Sequence, residues 1–244
     1  MAKINLRDIG SRAKQWDHPV KGLFKYAESM AKTRGDILKI PKKDRERYCV
    51  SIVALALKHD SQLDWWTHMP NPDPPDGLVM TFRDEEVGAY RGYMREVEVV
   101  EHRDRPELIF DTVQRKMVEN SYESNTILVC LVLTPAIYGL KGLATRLASI
   151  TSSIKHVFIV FSGISLADGL PPAEQLRTTY TMTQLLPVFQ SRTIDYRSDL
   201  DDFKQRYGKG QESRLIEGNA IYFGTTNKSA ISSSEQAPSE PASS

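Results

Sequence analysis

Two unbroken apolar runs constrain the fold of this chain more than any other feature. Thr126 to Thr134 reads Thr-Ile-Leu-Val-Cys-Leu-Val-Leu-Thr, and His156 to Phe161 reads His-Val-Phe-Ile-Val-Phe. Neither alternates with polar residues, both are rich in β-branched or aromatic side chains, and both are short, which is the pattern of strands covered on both faces. Between them Leu143, Leu147 and Ile150 recur at helical spacing, so a helix over Leu140 to Ser152 joins the two strands. Strand, helix, strand is the unit of a parallel crossover, and the expected class is α/β.

Upstream, Pro19 to Lys32 places Leu23, Phe24, Ala27 and Met30 on one helical face, and Lys43 to His59 does the same with Tyr48, Ile52, Leu55 and Ala56. Four prolines in the six positions from Pro70 to Pro75 then forbid either a helix or a ladder. Asp76-Gly77 opens a strand, Leu78-Val79-Met80-Thr81-Phe82. A polar turn around Arg83 to Gly88 leads to a second strand from about Tyr90 to Glu101, giving a hairpin. Glu107 to Glu119 reads as a helix. Farther on, Ala173 to Leu186 is expected to be helical, Ser191 to Tyr196 a short strand, and Ser198 to Tyr207 a helix capped by Ser198.

With 244 residues, one domain over 1–226 is the expected organisation, with a core at about 43–161, an extension over 162–226 and a disordered tail over 227–244 rich in Ser, Ala, Pro and Glu. The balance of 32 basic and 31 acidic residues names no partner through net charge. Cys49 and Cys130 each lie inside an apolar run and read as reduced core residues, which fits a reducing, cytoplasmic setting. No apolar stretch has the length of a signal sequence or a membrane span. His59, His68, His102 and His156 show no zinc spacing, and phosphate-loop, dinucleotide, nucleophile-elbow and kinase signatures are missing from the sequence.

The acidic segment from Asp76 to Glu98 carries the chemistry. Alternate side chains of a strand share a face, so Glu96 and Glu98 point the same way and, with Asp76, offer hard oxygen donors of the kind Mg²⁺ takes. Helix, strand, strand, strand, helix, strand, with the first two strands joined as a hairpin, Pro75-Asp76 heading the first and Glu96-Val97-Glu98 in the second, resembles the PD-(D/E)XK nuclease superfamily over Lys43 to Phe161. That resemblance implies a restriction-endonuclease-like mixed sheet flanked by helices. It also implies Mg²⁺- or Mn²⁺-dependent hydrolysis of phosphodiester bonds, with nucleic acid, DNA above all, as substrate in restriction or phage defence. The metal ligands it implies are Asp76, Glu96 and Glu98, with Glu46 added from the preceding helix.

The family places a lysine two residues after the strand glutamate, and no Glu-x-Lys occurs in this strand. Two registers are open. Either Glu96 is the ligand and Glu98 stands at the lysine position, or Glu98 is the ligand and Val100 stands there, in which case a lysine must come from elsewhere. The first is preferred because it gathers more carboxylates around one cation. A fold of this kind without catalysis would instead serve as a nucleic-acid-binding or assembly subunit, with protein partners or a second copy. Trp65 and Trp66, with His68, read either as a base-stacking or partner-binding surface or, more commonly, as core or dimer packing. Lys141 and Arg146 read as phosphate contacts or, more simply, as an exposed helix face.

Overall fold

A computed structural model describes residues 15–70, 75–86, 89–119, 122, 125–134, 138–161, 179–207, 213–217 and 220–223. The expected tail over 227–244 lies outside the described residues. The order is β1 (Gln15–Asp17), α1 (Pro19–Lys32), α2 (Lys42–Ser61), β2 (Trp65–His68), β3 (Gly77–Glu86), β4 (Ala89–His102), α3 (Ile109–Glu119) and β5 (Ile127–Val132). After these come α4 (Leu140–Ala148), β6 (His156–Phe161), β7 (Thr179–Leu186), β8 (Gln190–Asp195), α5 (Arg197–Tyr207), β9 (Ser213–Glu217) and β10 (Ala220–Phe223).

All described strands join one mixed sheet in the order β10-β9-β1-β2-β3-β4-β5-β6-β7-β8. β2, β3 and β4 form an antiparallel meander, β4, β5 and β6 are parallel, and β7 and β8 return antiparallel. The expected α/β class and the parallel pairing of the two apolar runs are therefore present, and every residue of β5 is buried.

Each face of the sheet has its own cover. Val97, Val99, Ile127, Val129, Phe158 and Val160 meet α2, while Leu128, Cys130, Val132, Val157 and Ile159 meet α3 and α4 through Val113, Met117, Leu143 and Leu147. Full burial of such a side chain is worth about 1.5–3 kcal/mol before chain entropy is counted. Gly77 fixes how α2 lies on the sheet, because a Cβ at that position would collide with Val50. α2 thus crosses the very residue that follows Asp76.

Four expectations need correction. Thr179 to Leu186 is β7, not helix: Thr179, Thr181 and Thr183 alternate with Tyr180, Met182 and Gln184, and the β-branched set pairs with β6 and β8. The hairpin strands run past the expected turn at Arg83, since the ladder continues through Phe82↔Gly92, Arg83↔Arg91 and Asp84↔Tyr90. α4 stops at Ala148 instead of Ser152, with Ser149 closing its last turn. α5 begins at Arg197, whose N–H donates to the Asp195 carboxylate at 3.0 Å, so Ser198 lies inside the helix and not at its cap.

Trp65 and Trp66 are 6% and 1% exposed, which settles them as core residues and removes the stacking surface. Cys49 and Cys130 are free and buried, and burial pushes both thiols up, Cys130 to about 12. Among the described residues no helix is long and apolar enough to cross a membrane.

Candidate acidic site at the head of β3

The β3–β4 ladder starts at Gly77↔Val97, so the next inward N–H of β4, that of Val99, finds no backbone acceptor on β3. Asp76 supplies one: its Oδ2 accepts from Val99 N at 2.8 Å. The carboxylate therefore continues the ladder where the strand has ended, and the same register sets Asp76 across from Glu98. Asp76 is buried, and burial pushes its carboxyl up to about 6. The Val99 hydrogen bond opposes this shift, and the nearby carboxylates of Glu46 and Glu98 add to it.

Glu46 and Glu98 approach from different sides. Glu46 projects from the second turn of α2, is 1% exposed, and is ion-paired to Lys42 Nζ at 2.9 Å and Lys43 Nζ at 3.2 Å. Glu98 lies on the α3 face of β4, also buried, with Lys116 Nζ at 3.1 Å from its Oε2. Lys116 stands over the Tyr122 ring as well. Burial alone would pull its ammonium down, but hydrogen bonding to Tyr122 and Glu98 outweighs that and lifts it to about 12.

Glu96 shares the face of Glu98, as strand alternation requires, yet it lies across from Leu78 and accepts from Thr126 Oγ1 at 3.4 Å. Next to the site Glu101 is clasped by Arg45, whose Nε and Nη2 donate to its two carboxylate oxygens at 2.6 and 3.1 Å. Arg103 donates to the same carboxylate, and although burial opposes it, the two guanidiniums hold Glu101 below the usual range.

The sequence grouped Asp76, Glu96, Glu98 and Glu46; the register sets Glu98 across from Asp76 and Glu96 across from Leu78. The sequence reading missed the cations. Lys116 was visible as the residue beside Met117 on the inner edge of the Glu107 to Glu119 helix, and Lys42 and Lys43 stand at helical spacing from Glu46. The remaining candidates separate: Lys141 is exposed on α4, and Arg146 lies over the Phe110 ring at 3.6 Å.

Among the described residues no three His, Cys, Asp or Glu side chains are grouped as a ready-made metal cage. Mg²⁺ does not require one, since it commonly takes one or two carboxylates and completes its shell with water and substrate phosphate. Asp76 with one flanking glutamate meets that lesser demand. No family model, curated protein or solved structure matches this chain.

Proposed function

We propose that the chain is a metal-dependent nuclease of the restriction-endonuclease-like kind, in which Asp76 and Glu98 hold Mg²⁺ or Mn²⁺ and Glu46 adds negative charge from α2. The observation that carries this reading is the position of Asp76: a buried acid at a strand head, opposite Glu98, beside Glu46, with its carboxyl raised to about 6. A divalent cation would offset the repulsion that raises it. The connectivity supports the same reading once β2 is counted as the first strand: α2, the β2-β3-β4 meander, α3 and parallel β5 follow the helix, three strands, helix, strand order of that superfamily, with Asp76 heading the second strand and Glu98 in the third.

Bound there, the ion would activate water and neutralise charge developing at phosphorus. Lys116, already beside Glu98, takes the place of the lysine missing from β4 and orients the scissile phosphate. Lys42 and Lys43 at the start of α2 add positive charge where the backbone would enter. DNA in a cytoplasmic defence setting is the proposed substrate.

A second reading has its own observation. Val100 stands two residues after Glu98 and packs against the α3–α4 core, and all three nearby lysines already hold glutamates. A nuclease-like fold that binds or assembles without cutting would look the same. Calorimetric titration with Mg²⁺ and Mn²⁺, paired with cleavage of plasmid and single-stranded DNA, separates the two. Metal-dependent cutting that disappears in Asp76→Ala supports the enzyme. Nucleic-acid binding without metal uptake or cutting supports the binding subunit and removes the catalytic reading.

A further inference from the structure

Arg95 and His156 sit on the α2 side of the sheet, on strands separated by β5. The parallel register aligns Val97, Ile127 and His156 in one row, and Arg95 precedes Val97 by two residues on the same face. β5 begins at Ile127, and the residue that continues its line beside Arg95 is Asn125, whose Nδ2 donates to Met94 O at 3.3 Å. On its other side Arg95 is directly across from Val79, which is fully buried. Lys155, the next cation along, is exposed and donates to Ser152 O at 2.7 Å.

Both side chains are half-buried, and neither has a hydrogen bond or ion pair among the described residues. This sets Arg95 apart from Arg45, Arg103, Arg192 and Arg197, each of which is paired to a carboxylate. Removing a guanidinium from water without a counter-charge is costly, and its planar fork of donors is matched by two oxygens of one oxyanion. Burial, followed by the Arg95 charge, lowers His156. An anion near both would relieve this, and a group with three or more acceptor oxygens would serve a fork and a ring N–H together.

We infer that Arg95 and His156 form an oxyanion-binding site that takes a phosphate group, at the N-terminal ends of the parallel strands and independent of any metal at Asp76. The phosphate could belong to a nucleic-acid backbone or to a free phosphate or monoester. The chemistry of recognition is shared.

The test follows the His156 ring by NMR during pH titrations in EDTA, with Gln at position 156 (His156→Gln) identifying its signal. Inorganic phosphate and a short single-stranded DNA are added in separate arms. Phosphate should raise the His156 midpoint by about one pH unit, equivalent to about tenfold tighter binding to the protonated ring. Arg95→Gln should raise the midpoint of the free protein and abolish the phosphate response. Arg95→Lys keeps the charge but not the fork, and should weaken binding about tenfold. A response to DNA but not to phosphate assigns the backbone as source, and the reverse assigns a small phosphate.

No response in either arm, or one that persists in Arg95→Gln, overturns the inference. Asp76→Asn should respond like the original protein, so loss of the proposed cleavage and loss of this site are separately visible.

Discussion

The two ends of α2 are both crowded with charge, yet they have opposite character. At the C-terminal end, Lys58 Nζ lies 2.9 Å from Asp199, 3.3 Å from Asp64 and 3.8 Å from Asp202, and His59 Nε2 adds a contact to Asp199 at 3.0 Å. One cation joins two carboxylates of α5 and one of the turn before β2, and so ties α5 to the helix. Burial opposes the Lys58 charge, but the acids overcome it and raise its ammonium. At the N-terminal end Glu46 is ion-paired to Lys42 and Lys43, and Asp76 beside it accepts the Val99 N–H and hydrogen-bonds with the Glu46 carboxyl. At the C-terminal end the named carboxylates are ion-paired to one lysine. At the N-terminal end Glu46 and Glu98 hold lysines, whereas Asp76 has its carboxyl raised by burial and by its acidic neighbours.

The sharpest way to break this contrast is activity. Asp76→Ala should lower metal-dependent DNA cleavage by about 10³-fold or more, the scale set by losing several kcal/mol of charge stabilisation. Lys58→Met should leave the cleavage rate per folded molecule unchanged. Equal losses in the two variants would erase the distinction between the ends.

Stability should show the reverse order. Lys58→Met strands Asp199, which is 2% exposed, and should cost about 2–3 kcal/mol, lowering Tm by about 5–10 °C in a thermal scan. Asp76→Asn should instead stabilise. The folded protein holds the Asp76 proton up to about pH 6, against about 3.9 in an unfolded chain, so this acid costs nothing below pH 4 and progressively destabilises between pH 4 and 6. Removing its charge should gain about 1–2 kcal/mol at pH 7.5, after allowance for water at the site, and nothing at pH 4. Saturating Mg²⁺ should narrow the difference at pH 7.5 by stabilising the original protein alone. A gain that persists at pH 4 would mean that the asparagine improves packing and that Asp76 carries no charge penalty.

The smallest expected effect lies within the acidic segment. Glu96→Gln should change stability by less than about 0.5 kcal/mol, the level of an ordinary surface substitution, and cleavage by less than about tenfold. Glu98→Gln should reduce cleavage far more, because it leaves Lys116 without its carboxylate next to Asp76. Equal effects would restore Glu96 as a ligand.

Much of the scaffold was legible from local pattern. The apolar runs of β5 and β6 allow no exposed face, and the periodicity of α1, α2 and α3 marks their buried sides, so those elements emerge close to their expected limits. β7 was misread because its threonines alternate with apolar side chains whose helical spacing competes with the strand period, and pairing with β6 decides between them. β1, β2, β9 and β10 were not anticipated. β1 has three residues and is specified by the strands it pairs with more than by its own composition.

In the acidic site, strand alternation correctly put Glu96 and Glu98 on one face. It could not choose between them, because that depends on where β3 begins relative to β4. The sequence by itself determined an α/β chain with two buried parallel strands, and it determined that Asp76, Glu96 and Glu98 are the acids of a hairpin, since those follow from periods of two and 3.6 residues. Only the tertiary structure decided that Glu98 faces Asp76, that Lys116 and Glu46 arrive from opposite faces of the sheet, and that among the described residues no acid is ion-paired to Arg95. Register, helix placement and burial are relations between distant segments, and no local period encodes them.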